Sequence, residues 1–320
     1  MARTKLQSVA TPDVTPGQPR DVSGRRSPAL ALIVSLRPHQ WTKNLLVFAP
    51  LIFAVKLFEV SAVAQAVAGF AVFCALSSVV YLINDVMDRD GDRLHPLKRH
   101  RPIAAGEVSV AVALGCGAIL AAAGLGGALL LGWRFAAVAG FYLLLQTFYS
   151  ITLKHIVILD ALTLAVGFVL RAMAGAVVID VVISHWLFVC TILGALFIAL
   201  AKRRHELVLL ADGAASHRPI LDEYSAYLLD QMIAVVTAST LIAYIFYTIS
   251  PETEQKFGTS WLGLTIPFAI YGIFRYLYLV HQREEGGSPS DLLLNDRPLL
   301  ACVTLWVIAV VLIIYHPFVP

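Results

Sequence analysis

The stretch from Asn84 to Asp92, Asn-Asp-Val-Met-Asp-Arg-Asp-Gly-Asp, places one amide and several carboxylates directly after a long apolar run. On a helix, at about 100° per residue, Asp85, Asp88 and Asp92 fall within about 60° of one another. Ser77, Tyr81 and Asn84 extend the same face, and Asp90 points roughly the other way. Carboxylates on one stripe repel each other unless a cation sits among them. Hard oxygen ligands suit Mg²⁺, which keeps waters and binds through one or two carboxylates plus substrate phosphates. Asn84, Asp85, Asp88 and Asp92 are therefore the candidate metal ligands. Basic residues follow at once: Lys98, Arg99 and Arg101, closed by Pro102-Ile-Ala-Ala-Gly106. Acid for a metal and base for phosphate oxygens is the combination diphosphate chemistry needs. The plainer reading is a solvated acidic helix end paired with nearby arginines. An EF-hand does not fit, because its twelve-position loop with a closing Glu is missing.

Three further groups could take part. In Lys202-Arg203-Arg204-His205-Glu206, the helical positions of Lys202, Arg203 and Glu206 lie within about 100° and Arg204 faces away. A Lys–Arg pair beside a carboxylate can clamp a phosphate and hydrogen-bond a ribose hydroxyl. Arg171 lies well inside an apolar run, where an arginine costs roughly 2.5–3.5 kcal/mol, so it should face a partner or a wet cavity. Gly167, Gly175 and Asp160 share its face, which leaves a structural ion pair and a phosphate ligand both open. Near the start, Pro38 can open an interfacial helix with Arg37, Gln40, Trp41 and Asn44 on one side. That face could anchor the chain at the headgroups or receive a lipid phosphate.

The elements that position these groups must be membrane helices. The chain has 320 residues, 58% hydrophobic and 14% charged, with mean hydropathy +0.77. A soluble domain is nearer half apolar and a quarter charged. The apolar stretches are continuous and do not alternate, so a helical bundle is expected and a barrel is not. Nine spans are expected near 43–58, 62–84, 107–131, 134–152, 157–178, 185–201, 230–250, 260–281 and 299–317. Residues 1–28 read as a disordered cytoplasmic tail and 29–320 as a single transmembrane domain. With the N-terminus inside, 19 Lys and Arg fall on the cytoplasmic side and 3 opposite, which places the C-terminus outside. A bacterial inner (cell) membrane is the expected location. The cysteines Cys74, Cys116, Cys190 and Cys302 stand singly in apolar runs, so neither a zinc site nor a disulfide framework is indicated. A net charge of +3 gives no ground for a nucleic-acid partner, and faces rich in Gly and Ala could pack into a homo-oligomer.

Asn84-Asp-x-x-Asp-x-x-x-Asp92, followed by His95-Pro and Arg101-Pro-x-Ala-x-Gly106, resembles the first Asp-rich motif of the UbiA superfamily. The resemblance implies an all-α, nine-helix UbiA-like bundle with an active-site cavity on the cytoplasmic side and Mg²⁺ as cofactor. Aromatic prenyltransferases of that superfamily usually carry a second motif, Asp-x-x-x-Asp, after the sixth span, and this chain has Lys202–Leu207 there. Leu36–Asn44, Lys-Arg-x-x-Glu-Leu at 202–207, Tyr149 with Leu153-Lys154-His155, Arg171-Ala-x-Ala-Gly175, Arg275-Tyr276 and Asp296-Arg297 resemble the decaprenyl-phosphate phosphoribosyltransferase branch. That resemblance implies transfer of 5-phosphoribose from phosphoribosyl diphosphate to a polyprenyl phosphate, a step toward a lipid-linked arabinose donor for cell walls. Catalytic roles are expected for Asp85, Asp88, Lys202 and Arg203. Substrate binding is expected from Arg37, Lys43, Asn44, Tyr81, Lys98, Arg101, Tyr149, Lys154, Arg171 and Glu206. The competing expectations are a prenyltransferase acting on an aromatic acceptor and, from another class, a transporter, although no convincing internal repeat supports the latter. The Asp-Gly-x-x-Ala-Arg signature of CDP-alcohol phosphotransferases does not appear.

Overall fold

Every regular element in the computed structural model is helical, and it describes residues 26–95, 98–182, 184–209, 219–283 and 289–315. The chain order is α1 (Pro28–Leu36), a 3-10 helix over Pro38–Phe48, α2 (Ala49–Phe53), α3 (Val60–Met87), α4 (Arg89–Leu94) and α5 (Val110–Leu130). It continues with α6 (Trp133–Ile151), α7 (Leu159–Val178), α8 (His185–Leu209), α9 (Ala226–Ile249) and α10 (Pro251–Phe257). The last are α11 (Ile266–Gln282), α12 (Pro289–Asn295) and α13 (Arg297–Tyr315). The expected tail lies outside the described residues as far as residue 25, and helix already begins at Pro28, capped by Ser27.

Among the described residues, seven helices are long and apolar enough to cross a membrane: α3, α5, α7, α8, α9, the 261–282 stretch that contains α11, and α13. Each corresponds to one of the nine expected spans. The other two depart for identifiable reasons. The 134–152 span is a 19-residue helix, α6, whose apolar character is broken by Tyr142, Gln146, Tyr149 and Ser150 on one face. The 43–58 span is instead the 3-10 helix running into the short α2, and it stops where Val55 turns to φ 59.

Helices α3 and α7 form the centre, each packing on α6 and on the 3-10 helix. Around Phe73, Leu76, Phe135 and Tyr142 lies one core; a second, around Leu200, Leu229 and Leu279, joins α8, α9 and α11 to the start of α7. By contrast, α5 leaves Ile119 and Leu130 outward, 72% and 91% exposed, as a helix facing lipid would.

The 3-10 helix sits against α7 in a matched register. Asn44 meets Arg171, and Val47 meets Gly175. Three residues of 3-10 helix and four of α-helix both rise about 6 Å, so one turn of each stays level with the other. A Cβ on Gly175 would stand 2.1 Å from the Val47 carbonyl oxygen. Only glycine permits that approach.

Candidate active site

One end of the bundle opens into a cavity of about 890 Å³ whose walls come from the 3-10 helix, α3, α4, α6, α7 and α8. Of the residues expected to bind substrate or metal or to catalyse, all but Asn44 line it. The acidic strip is positioned by the end of α3. Asp88 ends the helix at φ −88 and ψ 0, and α4 continues almost in line through the Asp92 N–H to Asp88 carbonyl bond of 2.8 Å. Asp85 and Asp92 therefore face the cavity, whereas Asp90 is 79% exposed and pairs with Arg89 and Arg93 outside it.

The carboxylates are held by cations. Asp85 accepts from Arg37 and, at 3.1 Å, from Arg101. Arg101 also reaches Asp92 at 2.6 Å, and Lys154 reaches Asp88 at 2.5 Å. Asn84 donates to the other Asp88 oxygen at 3.0 Å. Burial lowers the Arg37 guanidinium from its ordinary value, and Asp85 opposes that shift. Arg101 returns to α3 because the following turn closes on Pro102, whose carbonyl accepts from Glu107 and Val108, with Gly106 at φ 78. A positive φ of this kind suits glycine.

Among the described residues, no three of His, Cys, Asp or Glu converge as a ready metal-binding group. The oxygens of Asn84, Asp85, Asp88 and Asp92 are nevertheless of the hard type that Mg²⁺ takes. They lie along one helical face, where Arg37, Arg101 and Lys154 now supply the positive charge. The donor set fits a divalent ion that replaces some of these contacts.

The wall supplied by α8 carries both signs of charge. Lys202 stands 3.9 Å from Glu206, and both border the cavity. Arg203 does so only marginally, because its side chain is 1% exposed. Its Nε donates to Asp160 at 2.5 Å, Nη1 to Glu206 at 2.8 Å and Nη2 to the Tyr149 hydroxyl at 3.2 Å. It fixes Glu206 and Tyr149 more than it presents a charge. Asp160, fully buried, also accepts from Tyr224 at 2.8 Å. The Tyr224 oxygen in turn accepts from the Ile158 N–H at 2.7 Å and so secures a β-branched residue at φ 69. Burial first, then the contact with Asp160, raises the Tyr224 phenol to about 12, so it remains a donor.

Asn44 does not face substrate space. It is 0% exposed and donates to Ser77 at 3.2 Å while accepting from Arg171 at 2.8 Å. The reason is the 3-10 winding. At three residues per turn, Arg37, Gln40 and Lys43 form one row, which lines the cavity, and Trp41, Asn44 and Val47 form another, which packs on α3 and α7. An α-helical wheel had merged the two rows. Sequence reasoning also passed over Asp160 as a site residue, and over Gln146, which lines the cavity. The signal for Gln146 was its place in the polar series Tyr142, Gln146, Tyr149 and Ser150 on α6.

The profile of the UbiA prenyltransferase family matches residues 45–294. The chain belongs to this family. A decaprenyl-phosphate phosphoribosyltransferase of Mycolicibacterium smegmatis is 35% identical over 96% of this chain and 97% of its own length. One from Corynebacterium glutamicum is 34% identical over 89% of this chain and 86% of its own. In fold, the UbiA homolog of Archaeoglobus fulgidus bound to GPP and Mg²⁺ superposes with a TM-score of 0.69 at 20% identity, covering 89% of this chain and 99% of that one. Membership of the UbiA family and seven candidate crossings make this a multi-pass membrane protein.

Proposed function

We propose that this UbiA-family enzyme transfers 5-phosphoribose from phosphoribosyl diphosphate to a polyprenyl phosphate and releases pyrophosphate. The observation that carries the reading is the cavity wall opposite the acidic strip. Where a second Asp-rich motif would stand, α8 presents Lys202 and Glu206, backed by Arg203. A cation and a carboxylate at that wall suit a phosphorylated sugar with free hydroxyls better than a second metal cluster for a prenyl diphosphate. Whole-length relatives that carry the phosphoribosyltransferase name support the same choice.

Asn84, Asp85, Asp88 and Asp92 would hold Mg²⁺, which when bound supplies charge neutralisation for the diphosphate leaving group. Arg37, Arg101 and Lys154, which now meet those carboxylates, lie where they can turn to phosphate oxygens. As the C1–oxygen bond breaks, the electron pair leaves with pyrophosphate, and fixed cations stabilise that developing charge without reorganising. Glu206, oriented by Arg203, is placed to accept from ribose hydroxyls. The lipid phosphate oxygen then bonds to C1. It is anionic at neutral pH, so no side chain has to remove a proton. Walls from six elements limit water, which would otherwise take the sugar.

In this reading α6 and the 3-10 segment join the seven apolar helices as crossings, the cavity opens to the cytoplasm of a bacterial cell, and the product leads toward a lipid-linked arabinose donor. The test is incubation of purified protein with Mg²⁺, labelled phosphoribosyl diphosphate and a polyprenyl phosphate. Label should enter the organic phase. Label that enters only from a prenyl diphosphate would overturn the assignment in favour of prenyl transfer.

A further inference from the structure

Arg171 is the one group at the cavity whose charge the fold buries and leaves without a counter-ion among the described residues. The residue is 6% exposed, well within α7. Each of its three nitrogens donates to a neutral oxygen: Nε to Asn44 at 2.8 Å, Nη1 to the Gly167 carbonyl at 2.8 Å and Nη2 to the Tyr142 hydroxyl at 2.7 Å. Tyr142 and Phe168 also lie beside the guanidinium, with ring centroids at 4.8 and 5.4 Å. No carboxylate pairs with it among the described residues. Asp160, the acid that shares its helical face, is taken by Arg203 and Tyr224.

The contrast with the other buried arginine is informative. Arg203 has two carboxylates. A cation buried with only neutral oxygens around it is costly, and charged residues held within membranes in this way characteristically line substrate or ion pathways. Three bonds leave two of the five guanidinium N–H groups for a ligand, and Arg171 lines the cavity. Through Asn44, Arg171 is level with Ser77, two helical turns from Asp85, which puts it on the order of 12 Å below the acidic strip.

We propose that Arg171 is a second anion site at the floor of the cavity, built for a phosphate monoester and separate from the diphosphate site at the rim. This rests on the phosphoribosyl-transfer reading for its biological ligand, since both substrates of that reaction carry such a group: the 5-phosphate of the donor and the phosphate of the lipid. Asn44 acts as a positioning residue, holding the guanidinium without neutralising it.

The experiment is Asn44→Asp, which gives Arg171 a carboxylate of nearly the same shape as the amide it replaces. The KM for phosphoribosyl diphosphate and that for a short-chain polyprenyl phosphate are measured separately, beside the melting temperature of the full-length protein in detergent. The expected result is a rise of tenfold or more in one KM, with the other nearly unchanged and the protein at least as heat-stable as wild type. The KM that moves identifies the phosphate. If both KM values stay at wild-type level in folded protein, the guanidinium is structural and the proposal fails. Should Asn44→Asp not fold, Arg171→Lys takes its place: it keeps the charge and loses the fork, and an unchanged pair of KM values would again overturn the proposal. Should wild type show no phosphoribosyl transfer, the functional reading falls on its own. Protection against heat by inorganic phosphate then decides the site: loss in Asn44→Asp supports it, and equal protection in both proteins rejects it.

Discussion

Arg203 of α8 and Asp160 at the start of α7 form an ion pair at 2.5 Å whose side chains are 1% and 0% exposed. The pair locks two packed helices together behind the Lys202 and Glu206 wall of the cavity. Removing one partner of a buried pair leaves the other as an isolated charge, which typically costs about 3–5 kcal/mol. Asp160→Ala is therefore expected to lower stability by about that amount and to release Glu206, with activity falling as well. Thermal melts in detergent beside activity assays would check both. Tyr224→Phe, which removes one hydrogen bond to the same carboxylate and the acceptor of the Ile158 N–H, should cost about 1–3 kcal/mol. An Asp160→Ala protein as stable as wild type would mean the pair does not form.

The acidic strip separates by exposure. Asp85→Ala should reduce turnover by a factor on the order of 10²–10³, the loss typical when a group that stabilises transition-state charge is removed. Asp90→Ala should stay close to wild type, because Asp90 is 79% exposed and, among the described residues, pairs with the neighbouring Arg89 and Arg93. Initial rates for the two variants at saturating donor decide the matter. Equal losses would show that Asp90, too, serves the cavity.

Gly175 and Gly115 make a controlled comparison. Gly175→Ala drives a methyl group into the Val47 carbonyl, so the 3-10 helix must shift, at a cost of about 1–3 kcal/mol. Gly115 in α5 has nothing within 4 Å of the position a Cβ would take. Gly115→Ala should then be neutral or stabilise by up to about 1 kcal/mol. Melting temperatures of the two variants, read together, test the register of the 3-10 helix on α7.

A pH dependence follows from Asp296. Its hydrogen bond from Arg275 at 2.7 Å lowers the carboxyl below the ordinary range, and a further bond to the Leu299 N–H acts in the same direction. A lowered carboxylate stabilises the fold above its unfolded value of about 4, and the contribution fades as pH falls through the lower folded value. Asp296→Ala should remove that acid sensitivity and also cost about 1 kcal/mol as a lost cap of α13. Melting curves from neutral to acidic pH, compared between the two proteins, would show it.

Much of this site was legible because α3 is an ordinary α-helix up to Met87: the spacing of Asp85, Asp88 and Asp92 is the spacing of one face. A wheel of 3.6 residues per turn puts Arg37 and Asn44 on a common side, and the 3-10 winding separates them. Arg203 read as a phosphate clamp because its partners lie elsewhere in the chain. Asp160 is 43 positions away and Tyr149 is 54, and spacing along a helix says nothing of acids on other helices. The absence of a second Asp-rich motif was visible at once, since it needed only residue types.

The tight winding of Pro38–Phe48 also changes how far the chain travels. Eleven residues at about 2.0 Å, continued by five of α2 at about 1.5 Å, reach roughly 30 Å, the depth of a bilayer's hydrocarbon layer. An ordinary α-helix needs about 20 residues for the same journey. Hydropathy windows calibrated on α-helices do not count so economical a segment. If it and α6 are both added to the seven apolar helices, the passages number nine, and an odd number brings the two ends of the polypeptide out on opposite faces.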